Sequence, residues 1–197
     1  MSRPPSLAVL IMAAGQSQRM GRDKLLLCGS DGITLLAHRI DTAIQTGHRV
    51  FVALPPGDTR RLDVVSRTEA TPIPCPNAHL GMGHSLSDAI KMLPSCDGVL
   101  ILLADMPALT SDDLRNVSAG YDPDWVIRGG AQDLAPGHPV LIPARFLDRL
   151  ETLEGDQGAR NLLKSLPTRI VPLPQDHASF DIDTQEDWQS WLDRSTP

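Results

Sequence analysis

The sequence predicts an α/β fold in a single domain over 1–197: a Rossmann-like, mostly parallel sheet flanked by helices. Three observations carry this. Leu7–Met12, Val50–Leu54 and Gly98–Leu103 are continuous apolar runs of strand length, as expected where helices cover both faces of a parallel sheet. The residues between them include apolar positions at helical spacing. The runs empty into segments rich in glycine, proline or charge, at the edge where open α/β sheets bind ligands. Of the 197 residues 41% are hydrophobic, enough for a sizeable core, and the length favours one domain.

The first run breaks at Ala13-Ala14-Gly15 into a small-residue loop holding Arg19, Arg22 and Lys24. Small residues let backbone N–H groups approach a ligand, and neighbouring cations repel unless an anion or a carboxylate sits among them. Nucleotide phosphates fit that description. A P-loop is excluded because position 20 is Met and Gly21 precedes Arg22; the dinucleotide fingerprint fails at Ser17. Leu35, Leu36, Ile40, Ala43 and Ile44 then recur at helical spacing, and Gly47 stops the helix before the second strand, giving a β-α-β unit. Pro55-Pro56-Gly57 ends that strand. Residues 58–68, polar and weakly periodic, read as a short irregular helix, and Ile73 as a short strand at best. Asn77 to Ser85 is a loop opening onto a helix over Ser85–Leu93. Gly81, Gly83 and Ser85 there either cap the helix or offer its N-terminus to an anion.

Gly98–Leu103 empties into Ala104-Asp105-Met106-Pro107. A carboxylate at the end of a buried strand needs a partner, since burying it alone is expensive, and a magnesium ion would meet that need. Ser111, Asp112 and Asp113 start an ordinary helix. The second half is more broken, with strands at Trp125–Arg128 and Gly137–Ile142. Gly155 to Arg160 opens a helix ending near Leu166, and Asp156, Gln157 and Arg160 surround an N-terminus suited to a phosphate or simply capped. His138 reads equally as a turn histidine or a ligand contact. After a strand at Arg169–Leu173, alternation puts Asp181 and Asp183 on one side of an extended segment, where two carboxylates attract a cation. Thr184 caps the last helix, whose Trp188, Trp191 and Leu192 belong to the core.

A net charge of −6 opposes general nucleic-acid binding, and three Trp, one Tyr and three Phe make no stacking platform. Cys28, Cys75 and Cys96 are odd in number and far apart, which supports neither a disulfide framework nor a zinc site; they read as reduced thiols, mostly packing. No apolar run reaches the roughly 18 residues of a membrane span, and Met1 to Ser6 lacks the apolar core of a leader. The expected location is cytoplasmic.

The run Ile11-Met-Ala-Ala-Gly15-x-Ser17-x-Arg19-Met-Gly21-x-x-Lys24-Leu-Leu resembles the signature of nucleotidyltransferases that activate sugar phosphates, isoprenoid precursors and the molybdenum cofactor. It is most similar to the molybdenum cofactor cytidylyltransferases. The resemblance extends in order through 10–27, 81–85, 103–107, 137–140, 155–160 and 181–187. It implies the nucleotide-diphospho-sugar transferase type of sheet, with a nucleotide-binding half over about 7–110 and an acceptor-binding half over about 111–197.

The implied reaction moves CMP from CTP to the terminal phosphate of molybdenum-loaded molybdopterin, releasing pyrophosphate. Lys24, Arg19 and Asp105 would be catalytic. The backbone of Met12, Ala13, Ala14 and Gly15 would read the base, with Arg19, Lys24, Gly81, Gly83 and Ser85 on the phosphates. His138, Asp156, Gln157 and Arg160 would face the acceptor, and Asp105, Asp183 and Asp181 would hold Mg²⁺. Implied partners are CTP, the molybdopterin-type cofactor and a transient molybdoenzyme or its chaperone, without nucleic acid or membrane. Asp23 stands where many relatives carry proline, which should loosen how Lys24 is presented, and Met12 where Leu or Thr is frequent. The alternatives are guanylyl transfer, for which Leu-Ala-Gly-Gly would replace Met12-Ala-Ala-Gly15, transfer to another phosphorylated acceptor, and a non-catalytic binding module.

Overall fold

The computed structural model describes residues 3–15, 21–155 and 159–195. Its strands are β1 (Leu7–Met12), β2 (Arg49–Leu54), β3 (Thr71–Pro74), β4 (Gly98–Leu103), β5 (Val126–Gly130), β6 (Pro136–Pro143) and β7 (Thr168–Pro172), arranged as one sheet in the order β3-β2-β1-β4-β6-β5-β7. β1 pairs in parallel with both β2 and β4. Being central, it is buried on both faces, which is why Leu7 to Ile11 needs no polar alternation: Leu7, Val9 and Ile11 enter one core, Ala8 and Leu10 the other.

Helices α1 (Leu35–Ile44), α2 (Thr59–Ser66), α4 (Ser111–Ala119) and α6 (Gln185–Ser195) cover the first face, giving Leu36, Ile40, Val65, Leu114, Val117 and Trp188 to its core. Helix α3 (Met82–Met92) and the short α5 (Arg160–Lys164) cover the second, with Leu86, Ala89 and Ile90 buried. The caps follow the sequence. Thr34 accepts from the Ala37 amide, and Thr110 with Asp113 forms a complete capping box for α4. Among the described residues no helix is long and apolar enough to cross a membrane.

The sheet is mixed because β6 runs antiparallel to both β4 and β5. This reversal places the start of β6, with His138, beside the end of β4, with Asp105. Gly137 is required there, since a Cβ on it would fall 2.1 Å from the Ala178 carbonyl oxygen.

Two expected helices differ. The one after Gly81 begins at Met82, so Ser85 lies inside its first turn rather than at its start. The helix expected to reach Leu166 is only the five residues of α5, and a 3-10 turn at Ala144–Arg149, which carries no helical apolar period, precedes it.

Arg39 on α1 is fully buried. Its guanidinium donates to the Met106 carbonyl at 2.6 Å, the Leu109 carbonyl at 2.7 Å and Thr42 Oγ1 at 2.8 Å, bracing the segment that follows β4. Burial lowers its pKa to about 10, against the pull of Asp113, so it remains a cation at neutral pH. Arg39→Met leaves two buried carbonyls unpaired. It should cost roughly 2–4 kcal/mol in urea unfolding, against less than about 1 kcal/mol for Arg67→Met on an exposed ion pair; equal losses would contradict the bracing role.

Candidate active site

The site forms at the carboxyl edge of β1 and β4. Leaving β1, the chain reaches a 3-10 turn at Lys24–Leu26, which Asp23 caps by accepting from the Leu25 amide at 3.1 Å. Lys24 Nζ lies 2.8 Å from Asp105 Oδ2 and 2.9 Å from Asp183 Oδ1, and it donates to the Ile182 carbonyl at 2.6 Å. The Ile182 amide in turn donates to the Asp105 carbonyl at 2.9 Å, which ties the segment before α6 to the end of β4. Ile182 is wholly buried, so the carboxylates on either side of it point away from the core, as alternation requires. Thr184 caps α6 as expected: the Asp187 amide donates to its hydroxyl, and the Asp183 and Thr184 amides donate to the Asp187 carboxylate.

The electrostatics follow from this crowding. Burial of Lys24 opposes its charge, but Asp105 and Asp183 outweigh burial and raise its pKa above the ordinary value. Asp181 is pushed up by burial and then by Asp183 and Asp105, so the three carboxylates feel one another. Among the described residues no group of three or more His, Cys, Asp or Glu is placed to enclose a metal ion. Asp105 and Asp183 share the Lys24 ammonium, and Asp181 lies close enough to both to feel their charge. That ammonium also answers the question of what offsets the cost of placing Asp105 at the strand end.

The first loop is fastened by a residue that sequence reasoning missed. Arg61 on α2 is only 4% exposed. Its Nε and Nη2 make a two-pronged contact with the Asp23 carboxylate at 2.9 Å each, and Nε also lies 3.2 Å from Asp58. Its Nη1 donates to the carbonyls of Ala13 at 2.7 Å and Gly15 at 2.9 Å. One guanidinium thus holds the described flanks of the loop, using the fork geometry that only arginine offers. This overturns the expectation that Asp23 loosens Lys24. The available signal was Asp23 itself, a carboxylate at a position that asked for a cation.

Several groups expected to read the base or the phosphates are committed elsewhere. The Ala13 amide donates to the Ala53 carbonyl, and the Met12 carbonyl accepts from the Ala104 amide. The carbonyls of Ala13 and Gly15 are taken by Arg61. The Gly83 amide donates to the Gly155 carbonyl at 2.8 Å. A Cβ on Gly83 would lie 2.7 Å from the Glu154 carbonyl oxygen, so this glycine serves close packing. Ser85 is buried, its hydroxyl donating to the Gly81 carbonyl at 3.2 Å, and does not cap the helix. Gly81, at φ 116°, is the residue before α3.

His138 stands at the Asp105 edge. Its amide donates to the Ala178 carbonyl, and its ring Nδ1 is buried without a hydrogen-bond partner among the described residues. Burial, then the Arg128 charge, lowers its pKa to about 4, so the ring is neutral at pH 7. Arg160 is the exposed first residue of α5. Arg19, Asp156 and Gln157 lie outside the described residues.

Residues 9–170 match the family model described as the MobA-like NTP transferase domain. Among curated proteins, the chain is 31% identical to the purine catabolism protein PucB of Bacillus subtilis, over 94% of this chain and 96% of that protein. It is 26% identical to the molybdenum cofactor cytidylyltransferase of Escherichia coli, over 95% and 96%. Among solved structures, a nucleotidyl transferase from Methanothermobacter thermautotroptrophicus shares the fold with a TM-score of 0.81 at 19% identity, over 96% and 97%.

The Arg61 clamp predicts strong coupling in a double-mutant cycle. Arg61→Met and Asp23→Asn should each destabilise the protein, and together cost less than their sum by roughly 1–3 kcal/mol. Additive losses in urea unfolding would show that the two side chains do not act as a pair.

Proposed function

The chain belongs to the MobA-like NTP transferase family, and from that premise we propose that it moves CMP from CTP to the terminal phosphate of molybdenum-loaded molybdopterin. One observation carries the reading: Lys24 standing between Asp105 and Asp183 at the carboxyl edge of the sheet. A terminal phosphate oxygen of the acceptor attacks the α-phosphorus in line, the bond to the β-phosphate breaks, and pyrophosphate leaves with the electron pair. Such chemistry asks the protein to position anions and neutralise charge, and it needs no covalent nucleophile. Lys24 turns from the carboxylates to the α-phosphate, meeting the charge that develops there.

The oxygen-only donor set of Asp105, Asp183 and Asp181 suits a hard divalent ion, and the raised Asp181 pKa, caused first by burial and then by the charges of Asp183 and Asp105, supports such a fit. Mg²⁺ bound there would supply further charge neutralisation on the reacting phosphates. Arg19 is assigned the triphosphate tail on the resemblance of its motif. Ala14 carries the base preference, because a methyl group at that position leaves less room for a purine beside the loop backbone. A cytoplasmic location, and transient delivery to a molybdoenzyme or its chaperone, belong to the same proposal.

The test is pyrophosphate release from purified protein given each of the four NTPs, Mg²⁺ and molybdenum-loaded molybdopterin. CTP should be preferred over GTP by about two orders of magnitude or more in kcat/KM, and Asp105→Ala should abolish release without changing the folded state. Equal kcat/KM for CTP and GTP would remove the cytidylyl assignment. Asp105→Ala activity within roughly tenfold of wild type at saturating Mg²⁺ would remove the role given to Asp105.

A further inference from the structure

The antiparallel strand that brings His138 to the Asp105 edge brings a second cation with it. Arg128 of β5 is the cross-strand partner of Val140. Beyond that pair the register between the two strands shifts, in the stretch of β6 that holds the cis His138–Pro139 peptide. The Arg128 guanidinium is half-buried, and Nε and Nη2 both donate to one acceptor, the Gly137 carbonyl, at 3.2 and 3.1 Å. Burial lowers its pKa, and among the described residues no carboxylate offsets that cost. One neutral carbonyl satisfies little of a group with five donors. Beside it the buried Nδ1 of His138 also lacks a partner among the described residues. Arg128 and Asp105 each act electrostatically on His138, so the ring stands between the two charges' ranges of influence. An anion held by Arg128 would thus lie beside His138, whose ring also feels Asp105.

We propose that Arg128 is the binding residue for the acceptor's attacking phosphate, with the open nitrogen of His138 as its neighbour. The planar guanidinium fork matches phosphate oxygens two at a time, which fixes the direction as well as the position of an attacking group. Identifying the anion as the acceptor's phosphate rests on the proposed transfer reaction; the anion site itself rests on Arg128 and His138.

Two measurements test it on the full chain. In protein labelled with ¹⁵N-arginine, the Arg128 Nε–Hε resonance is identified by its absence from Arg128→Gln. On titration with inorganic phosphate it should shift and saturate, and a resonance that does not move overturns the anion site. In steady-state assays Arg128→Gln should raise the acceptor KM by roughly tenfold or more. The KM for the nucleotide and the melting temperature should stay as in wild type, and Arg128→Lys should recover part of the loss. Equal rises in both KM values, or a lowered melting temperature with unchanged KM values, would make Arg128 a structural tie to Gly137 and overturn the proposal. If no phosphorylated acceptor supports pyrophosphate release, the transfer reaction fails, and the phosphate titration still decides whether Arg128 binds an anion.

Discussion

The Lys24 ammonium shared by Asp105 and Asp183 is the contact on which the rest of the site depends. It joins three stretches that lie far apart in the chain: the loop after β1, the end of β4 and the segment before α6. With its side chain only 13% exposed, Lys24 forfeits much of its hydration. A single carboxylate would leave the balance between desolvation and attraction close; against burial, two carboxylates together raise its pKa, and the Ile182 carbonyl accepts a further bond. The pairing is mutual. Without the ammonium, Asp105 and Asp183 would face each other and Asp181 as like charges, in the setting that already raises the Asp181 pKa.

Around this contact the loops are held by buried arginines as well as by apolar packing. Arg39 from α1 takes the carbonyls of Met106 and Leu109, and Arg61 from α2 takes those of Ala13 and Gly15. Both helices lie on the same face of the sheet, so one layer braces the chain where it leaves β4 and where it leaves β1. The physical logic is that loop carbonyls at the edge of a buried sheet lack ladder partners, and an unpaired buried carbonyl is costly. A long cationic side chain from a flanking helix satisfies several at once. The opposite face is braced without arginine: α3 packs so tightly on residues 154–155 that only glycine fits at position 83, and Ser87 donates its hydroxyl to the Glu151 carbonyl.

What could be read from the sequence follows from the same physics. The strands β1, β2 and β4 were legible because burial on both faces turns them into unbroken apolar runs, and Asp105 was legible because a carboxylate at the end of such a run needs a reason to be there. The direction of β6 was not legible, since a strand buried on both faces carries the same residues whichever way it runs. The start of α3 was misplaced because Ser85 has the residue type of a cap, while Gly81 at φ 116°, which does precede the helix, looks like any loop glycine. Arg61 escaped notice because 58–68 reads as a solvated polar helix. Its charge is buried only when the loop after β1 folds onto it, and that is a long-range fact.

The central proposal is that Lys24 holds the place between Asp105 and Asp183 that a divalent cation would take during nucleotidyl transfer. Mn²⁺ affinity measured by electron paramagnetic resonance, without nucleotide, in wild type and Lys24→Met tests it most directly. If the ammonium and the metal ion compete for the same two carboxylates, removing the ammonium should tighten Mn²⁺ binding by roughly tenfold or more. Unchanged or weaker Mn²⁺ binding in Lys24→Met would contradict the account.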